Sequence, residues 1–324
     1  MLHLSDFTRN WRPVRHVWPL VAAAGLGLAV AVAAWFAVSV WEERLARAKF
    51  TAVARDYATA LQNGLDQYLG KILAVRAFYE ASVEVDSDEF NLFTSQIVAG
   101  YDGAMRLVWS PRVARDERAE FEHKARERGI ADYAVRTWAV TGPMPVSPER
   151  DEYFPILYST VATKRAATLG TDLNSEPTRS DAIRRARDGN IMATAQGIML
   201  RNPIDGLREG FLAMIPVYRH GLAVGSIDDR RRNTVGVLAG VFQTAAVFDA
   251  ILDRAKLPQN VNLYLYPARS GHDPLPVYMR GAASRDQPLE AKSENALAGS
   301  PINPRRSKPA MRAGTLSLCR WKGG

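Results

Sequence analysis

The longest apolar run of the chain extends from Val17 to Trp41 and contains no charged residue. At about 1.5 Å of rise per helical residue, such a run is long enough to cross a hydrocarbon core about 30 Å thick. Trp18 and Trp35 lie towards its ends, where amphipathic rings favour a membrane interface. The pattern therefore predicts a transmembrane helix over residues 17–41, preceded by a cytoplasmic N-terminal tail of residues 1–16.

A cleaved signal peptide is the alternative to an anchor, because Ala37-Val38-Ser39 resembles a small-residue cleavage site. The apolar core of a signal peptide usually has about 7–15 residues, and this longer run favours an uncleaved anchor. The N-terminal segment carries Arg9, Arg12 and Arg15, and short basic segments remain in the cytoplasm, although further arginines follow the run. We therefore expect a single-pass protein of the cell inner membrane with its soluble part in the periplasm.

Residues 42–85 continue the helical pattern beyond the membrane and predict a long stalk helix. Their apolar side chains recur every three or four positions, at Phe50, Val53, Tyr57, Leu61, Leu65, Tyr68, Ile72, Val75 and Tyr79. Two interpretations fit this stripe: a core helix of the soluble domain, or a stalk that packs against a second copy of the chain. Small residues spaced by four, from Gly25 to Ala37, also permit close helix approach, so a homodimer is expected.

Beyond Asp86 the pattern changes to shorter elements. Helices are predicted over residues 88–98, 115–128, 179–188 and 244–255. Gly129 and Gly189 are expected to end the second and third of these helices, and Thr244 to cap the fourth. Strands are predicted over residues 106–109, 133–140, 154–158, 191–195, 211–218 and 234–242. The irregular alternation and the late run of consecutive strands predict an α+β fold with an antiparallel sheet.

Composition narrows the function classes. The 324 residues carry a formal net charge of +8, but basic residues are mixed with acids, as in Arg115-Asp116-Glu117-Arg118. Nucleic-acid surfaces more often show basic runs with interleaved aromatics, so no nucleic-acid partner is expected. The one cysteine, Cys319, and five widely separated histidines predict neither thiol catalysis nor a metal site. The sequence shows no phosphate loop, nucleophile elbow, kinase signature or cyclase signature, so no cofactor and no catalytic residue is predicted.

A series of short motifs follows in order along the soluble part: Trp109-Ser-Pro-Arg-Val113, Tyr153-Phe-Pro-Ile-Leu-Tyr158, Leu169-Gly-Thr-Asp172, Ser175-Glu-Pro-Thr-Arg179, Ala186-Arg-Asp-Gly189 and Pro216-Val-Tyr218. In this order, and behind a single anchor helix, they resemble the CHASE domain. This is the extracellular sensor of plant cytokinin receptors and of bacterial histidine kinases and diguanylate cyclases. The resemblance runs from about Asp88 to Leu252, within a sensor domain expected over residues 86–298.

The resemblance implies tandem PAS-like halves along the long helix, a dimer, and a small-molecule ligand in the half far from the membrane. It further implies that Asp172, Tyr158 and the pair Ala193-Thr194 contact this ligand. An ionised carboxylate that accepts from ring N–H groups forms a strong bond, and few polar groups suffice to orient a ligand. A capping role for Asp172 in the following turn fits the residues equally well.

Two further residues of these segments are interpreted as structural. For Arg179 we expect a salt bridge or cap within its helix. For Trp138, as for Tyr158, a place in the core is the more common role of such an aromatic side chain.

The last residues, 299–324, are rich in Arg, Pro, Ser and Lys and contain no acid, which predicts a basic disordered tail. The resemblance implies a second membrane helix followed by an output domain, and the sequence shows neither. A truncated or frame-shifted receptor is therefore expected, without its effector.

Two other functions remain open from the residues alone. One is a membrane-tethered hydrolase that uses paired acids such as Asp172 and Glu176, although Pro177 argues against the helix that would bring them together. The other is a structural or interaction protein with a vestigial pocket.

Overall fold

The computed structural model describes residues 18–101, 104–160, 168–202, 206–258, 261–266, 275–281 and 289–293, and the backbone of residues 314–318. The predicted tail of residues 1–16 and most of residues 299–324 lie outside the described residues. Residues up to Val53 and the fold from Ala54 onward form two separate compact units.

A single helix, α1, runs from Trp18 to Ala81, which confirms the long helix predicted from the apolar run and the stripe after it. Its N-terminal part is exposed and apolar, and by length and composition α1 is long and apolar enough to cross a membrane. Later in α1 the predicted stripe is buried, at Tyr57, Leu61, Leu65, Tyr68, Ile72 and Val75. From Tyr57 onward, α1 is therefore a core helix of the soluble fold.

Five antiparallel strands form the main sheet, in the spatial order β5-β1-β9-β8-β7. Their bounds are β1 Met105–Pro111, β5 Tyr158–Ser159, β7 Ala193–Asn202, β8 Gly206–Tyr218 and β9 Thr234–Gln243. The predicted antiparallel α+β arrangement is thus confirmed at the level of helices and sheets. The division into PAS-like halves stays a prediction.

One face of the sheet packs against α1. The Phe242 ring of β9 lies 5.9 Å from Tyr68, and the Trp109 ring of β1 lies 4.4 Å from Tyr79 of the same helix. Gly240 of β9 leaves no room for a side chain beside Ile72. Because side chains alternate along a strand, the neighbours of these residues in the chain face the other way.

The other face of the sheet carries an apolar cluster beneath helix α4, Pro177–Gly189. Ala182 and Ile183 of α4 belong to one buried cluster with strand residues such as Val108, Leu212 and Met214. The remaining helices are α2 Ser87–Val98, α3 Arg118–Glu127, α5 Ile227–Asn233 and α6 Thr244–Ala255. Short strands complete this part of the fold: β2 Val113–Ala114, β3 Arg136–Thr137, β4 Glu152–Tyr153 and β6 Thr171–Asp172.

Two predicted strands are wrong, and in both cases the backbone bonds to distant loops. Of residues 133–140 only Arg136–Thr137, β3, is a strand, because the flanking residues bond to distant loops: the carbonyl of Val135 accepts from Ser147, and the N–H of Trp138 donates to the Ser175 hydroxyl. Of residues 154–158 only Tyr158 is in a strand, since Pro155 forms only an isolated bridge with Asp172 and Ile156 donates to Thr171. Periodicity does not report such long-range bonds.

Two predicted helix ends also differ by one residue. Helix α6 starts at Thr244, but its N-cap is Gln243, because Gln243 still pairs with Gly210 as the last residue of β9. Helix α4 continues through Gly189 and ends at Asn190, which takes the left-handed conformation with φ of 49°. Asparagine tolerates this conformation better than most residues, so it replaces glycine as the cap.

A smaller sheet has the order β11-β10-β12, formed by β10 Val261–Leu265, β11 Tyr278–Arg280 and β12 Gly314–Leu318. Strand β12 pairs in parallel with β10. It falls within the segment predicted as a disordered tail, and for these five residues the structure differs from that expectation.

Candidate ligand-binding site

A cavity lies on the α4 face of the main sheet. Its volume is about 30 Å³, and it opens to solvent on one side. The apolar wall is formed by Val108, Ile156, Leu173, Leu200, Leu212 and Val241. The other lining residues are Arg106, Trp138, Thr168, Thr171, Arg179 and Arg201. The space holds about two water molecules or a small chemical group, and a larger ligand would have to displace side chains.

Arg179 is the most deeply buried charged residue of this lining, with 3% of its surface exposed. It stands in the first turn of α4, where Glu176 caps the helix by accepting from the N–H groups of Thr178 and Arg179. The Arg179 guanidinium lies 4.1 Å from the centre of the Trp138 ring, and its Nη2 donates to the carbonyl of Met199. The ring and the carbonyl therefore fix the plane of the guanidinium.

The charge of Arg179 is only partly compensated. The Glu176 carboxylate lies 3.8 Å from its Nε, too far for a hydrogen bond, and Nε is buried without a hydrogen-bond partner. Burial lowers the pKa of Arg179 to about 10. The guanidinium therefore stays charged at neutral pH, although it is held in a poorly solvated place.

Arg106 enters the cavity from β1. The strand register places it opposite Val241 of β9, on the same face as Leu212 of β8. Burial lowers the pKa of Arg106, and no acid in the described part of the chain offsets this shift. A charged residue thus occupies an inward position of a strand, and sequence alternation alone could have indicated this as unusual.

Asp172, the first of the predicted ligand contacts, is fully buried and does not line this cavity. Its Oδ1 accepts from the N–H of Asn174 at 3.0 Å and from the N–H of Phe154 at 2.8 Å. The expected capping role is therefore present, together with a long-range bond to Phe154. Its Oδ2 is buried and has no hydrogen-bond partner.

The protonation of Asp172 reflects this environment. Burial raises the pKa of Asp172, and the two backbone hydrogen bonds to Oδ1 oppose the shift without cancelling it. The side chain is therefore a carboxyl group whose charged form is disfavoured in the folded protein.

The structure does not gather the other predicted contacts around the cavity. Tyr158 of β5 pairs with Trp109, and its ring lies 5.6 Å from Phe90 of α2. Thr194 of β7 pairs with Ala213, while Ala193 beside it is buried. Since Trp109 packs against α1, Tyr158 lies on the α1 side of the sheet, away from the cavity wall.

Several residues of the recognised motifs hold the fold together. Glu152 accepts from Arg112 and from Arg187, both at 2.7 Å, and thereby joins the strand region to α4. Burial alone would raise the pKa of Glu152, but the hydrogen bonds from the two arginines lower it below the ordinary value. Asp188 in turn binds Arg231 of α5, which connects α4 to the next helix. This network is structural.

Sequence reasoning missed the residues that line the cavity. Arg179 and Trp138 were interpreted as structural, and the ion pair of Arg179 with Glu176 agrees with that interpretation, but both also line the cavity. Among the described residues, no group of three or more histidine, cysteine, aspartate or glutamate side chains could hold a metal ion.

Comparison with known proteins shows which family of domains this chain resembles. The sequence profile of the CHASE domain matches residues 83–278, which is more than half of the chain. Hybrid signal transduction histidine kinase A of Dictyostelium discoideum is 24% identical over 282 residues, covering 82% of this chain and 13% of that protein. Probable histidine kinase 6 of Oryza sativa subsp. japonica is 24% identical over 270 residues, covering 79% and 26% respectively. Histidine kinase 3 of Arabidopsis thaliana is 20% identical over 295 residues, covering 83% and 26%.

The matched region contains the main sheet and its cavity, and it is a sensor domain of the kind found in signal-transduction histidine kinases. The chain belongs to the CHASE domain family. It spans about a quarter or less of the length of these relatives.

Proposed function

We propose that this chain is the small-molecule-sensing part of a membrane receptor. The observation that carries the proposal is the CHASE match over residues 83–278, which begins directly after α1 ends at Ala81. CHASE domains bind small-molecule ligands, and the cavity on the α4 face of the sheet is the candidate place for one. Because the relatives are histidine kinases, control of a kinase-type output is the candidate consequence of binding.

The cavity and α1 lie on opposite faces of the same sheet, which suggests how occupancy acts. A ligand shifts a conformational equilibrium only if it binds one arrangement more tightly than the other, and a tenfold preference supplies about 1.4 kcal/mol. Side chains of β9 alternate between the two faces: Val241 lines the cavity and Phe242 contacts Tyr68 of α1. Strand β9 is therefore one element through which a change in the cavity would reach the helix. Strand β1 is another, because its Val108 lines the cavity and its Trp109 contacts Tyr79 of α1.

The predicted contacts Asp172, Tyr158, Ala193 and Thr194 remain a hypothesis for additional ligand binding. Support comes from Asp172, because its buried Oδ2 has no partner and could accept a hydrogen bond from a ligand N–H group. Such a ligand would approach from outside the described cavity, since Asp172 does not line it.

The ligand proposal is tested on the full chain in lipid nanodiscs. The melting temperature of the protein is measured in the presence of each compound of a panel of purines, amino acids, polyamines and small organic acids. We expect one chemical class to raise the melting temperature, because a ligand that binds only the folded state stabilises it. Amide hydrogen exchange with that compound should slow in β1, in β8 and in the first turn of α4. Silence across the panel, or protection confined to other elements, would contradict the proposal.

We further propose that residues 17–41 anchor the chain in the inner membrane and that residues 86–298 are a periplasmic sensor that works as a homodimer. Residues 42–85 would be a stalk helix whose part from Tyr57 onward packs in the core of the sensor. The exposed apolar part of α1 supports the anchor. The short basic N-terminal segment supports its orientation.

Cysteine labelling tests this orientation. In a Cys319→Ser background, Asp116→Cys places one thiol at an exposed position just before α3. We expect a membrane-impermeant maleimide to label it fully in intact spheroplasts. A matched Ser5→Cys variant should be labelled only after lysis. Labelling of the two variants in the reverse order would mean that the sensor lies in the cytoplasm.

A further inference from the structure

The described lining of the cavity is strongly unbalanced in charge. It contains the three arginines Arg106, Arg179 and Arg201, and no aspartate or glutamate among the residues that the structure describes there. Guanidinium groups that share a small cavity repel one another, and this cavity has a volume of only about 30 Å³. The arrangement is therefore suited to a negatively charged guest.

Arg179 has the geometry of an anion-binding group rather than of a purely structural cation. It is 97% buried, since 3% of its surface is exposed, and its Nε has no hydrogen-bond partner. The Trp138 ring and the Met199 carbonyl hold the guanidinium plane in place. An unused N–H on a fixed guanidinium is half of the two-pronged donor that oxyanions bind.

The carboxylate of Glu176 does not accept a hydrogen bond from the Nε–H group of Arg179. Glu176 lies 3.8 Å from Nε and already accepts from two backbone N–H groups at 3.0 Å. Its role is to cap α4. Burial lowers the pKa of Arg106, and among the described residues it forms no ion pair with an acid.

The apolar wall selects among anions. Val108, Leu212 and Val241 of the sheet, with Leu173, form a continuous apolar part of the lining, which suits a hydrocarbon body better than the additional oxygens of a phosphate. A carboxylate has two oxygens, both of which a guanidinium can bind, and the short hydrocarbon body attached to it matches the apolar wall. The reachable volume favours a small molecule.

We infer that the ligand of this cavity is a small organic carboxylate, held by the guanidinium groups of Arg179 and Arg106 with its apolar body against the sheet. The inference rests on the proposed function and names the ligand class of that site. It differs from a ligand whose ring N–H groups donate to Asp172, which is the contact that the family resemblance implies.

The test uses the full chain in nanodiscs and pairs each acid with its neutral amide: butyrate with butyramide, and benzoate with benzamide. Inorganic phosphate is the second anion. Binding is measured by calorimetry and by the shift in melting temperature. We expect carboxylates to bind at least about tenfold more tightly than their amides, the size of one charged hydrogen bond. Arg179→Met should weaken carboxylate binding by about tenfold or more.

Two further variants keep the result interpretable. Arg106→Gln removes a second cavity charge at a half-buried position and should also weaken carboxylate binding. This variant keeps the test available if Arg179→Met fails to fold. Arg184→Gln removes a charge from the exposed side of α4, where Arg184 pairs with Asp181, and should leave binding unchanged. Equal loss in the Arg184 variant would overturn the inference, because the effect would then be long-range charge alone.

The outcomes also separate this inference from the proposed function. If a neutral or cationic compound protects the cavity strands while carboxylates do not, the carboxylate assignment fails and the sensor function stands. If phosphate binds more tightly than every carboxylate, the assignment fails as well. If no compound of either panel binds, both proposals fail.

Discussion

Replacing Gly170 with alanine is expected to lower the free energy of unfolding by about 3–5 kcal/mol. Gly170 has φ of +79°, a conformation that costs an L-residue about 1–2 kcal/mol. A Cβ there would also run into the carbonyl oxygen of Ala134, which is backbone and cannot rotate away. In addition, Gly170 donates to Ile156 and accepts from Arg136, both at 2.8 Å, so a shift would break bonds at the cavity wall.

Denaturant unfolding measures this change, and Gly221→Ala is the matched control. Gly221 has a similar φ of +74°, but nothing lies within 4 Å of its would-be Cβ. Its substitution should cost only the conformational part, about 1 kcal/mol. Equal losses at the two positions would mean that the contact with Ala134 is not decisive.

Replacing Asp172 with alanine is expected to cost about 2–4 kcal/mol, because two N–H groups, of Phe154 and Asn174, lose their acceptor. Asp172→Asn keeps an oxygen in the place of Oδ1 and should cost much less. The same pair of variants tests the predicted ligand contact. If Oδ2 accepts from a ligand, the asparagine variant should fold normally and bind about tenfold more weakly.

The pH dependence of Asp172 gives a second measurement. The pKa of this carboxyl is raised by burial above its ordinary value of 3.8, so the folded state holds the proton more tightly than the unfolded state. Stability contributed by Asp172 should therefore fall as the pH rises from about 3.8 through the raised pKa. Asp172→Asn has no such titration, so its stability relative to wild type should increase over that window. A flat difference would show that the hydrogen bonds to Oδ1 cancel the effect of burial on the pKa, and a difference that decreases with pH would show that they outweigh it.

Local sequence patterns predicted much of the fold. The spacing from Tyr57 to Val75 fixed the buried face of α1, since 3.6 residues per turn bring those side chains into one stripe. β-Branched and aromatic residues between turn signals located β8 and β9. Strand β8 starts five residues before its predicted start, and β9 ends one residue after its predicted end. Short motifs in a fixed order indicated the CHASE domain family. These signals are all local, so a single sequence contains them in full.

The candidate site depended on tertiary structure. Arg106, Trp138 and Arg179 come from a strand, a loop and a helix, and only the pairing of β1 with β9 and the packing of α4 bring them to one cavity. The sequence indicated that Asp172 could either cap a turn or bind a ligand. Its bond to Phe154, 18 positions away, comes from folding alone. Periodicity reports which face of an element is apolar, whereas a cavity is a property of the gaps between elements, and those depend on long-range register and packing.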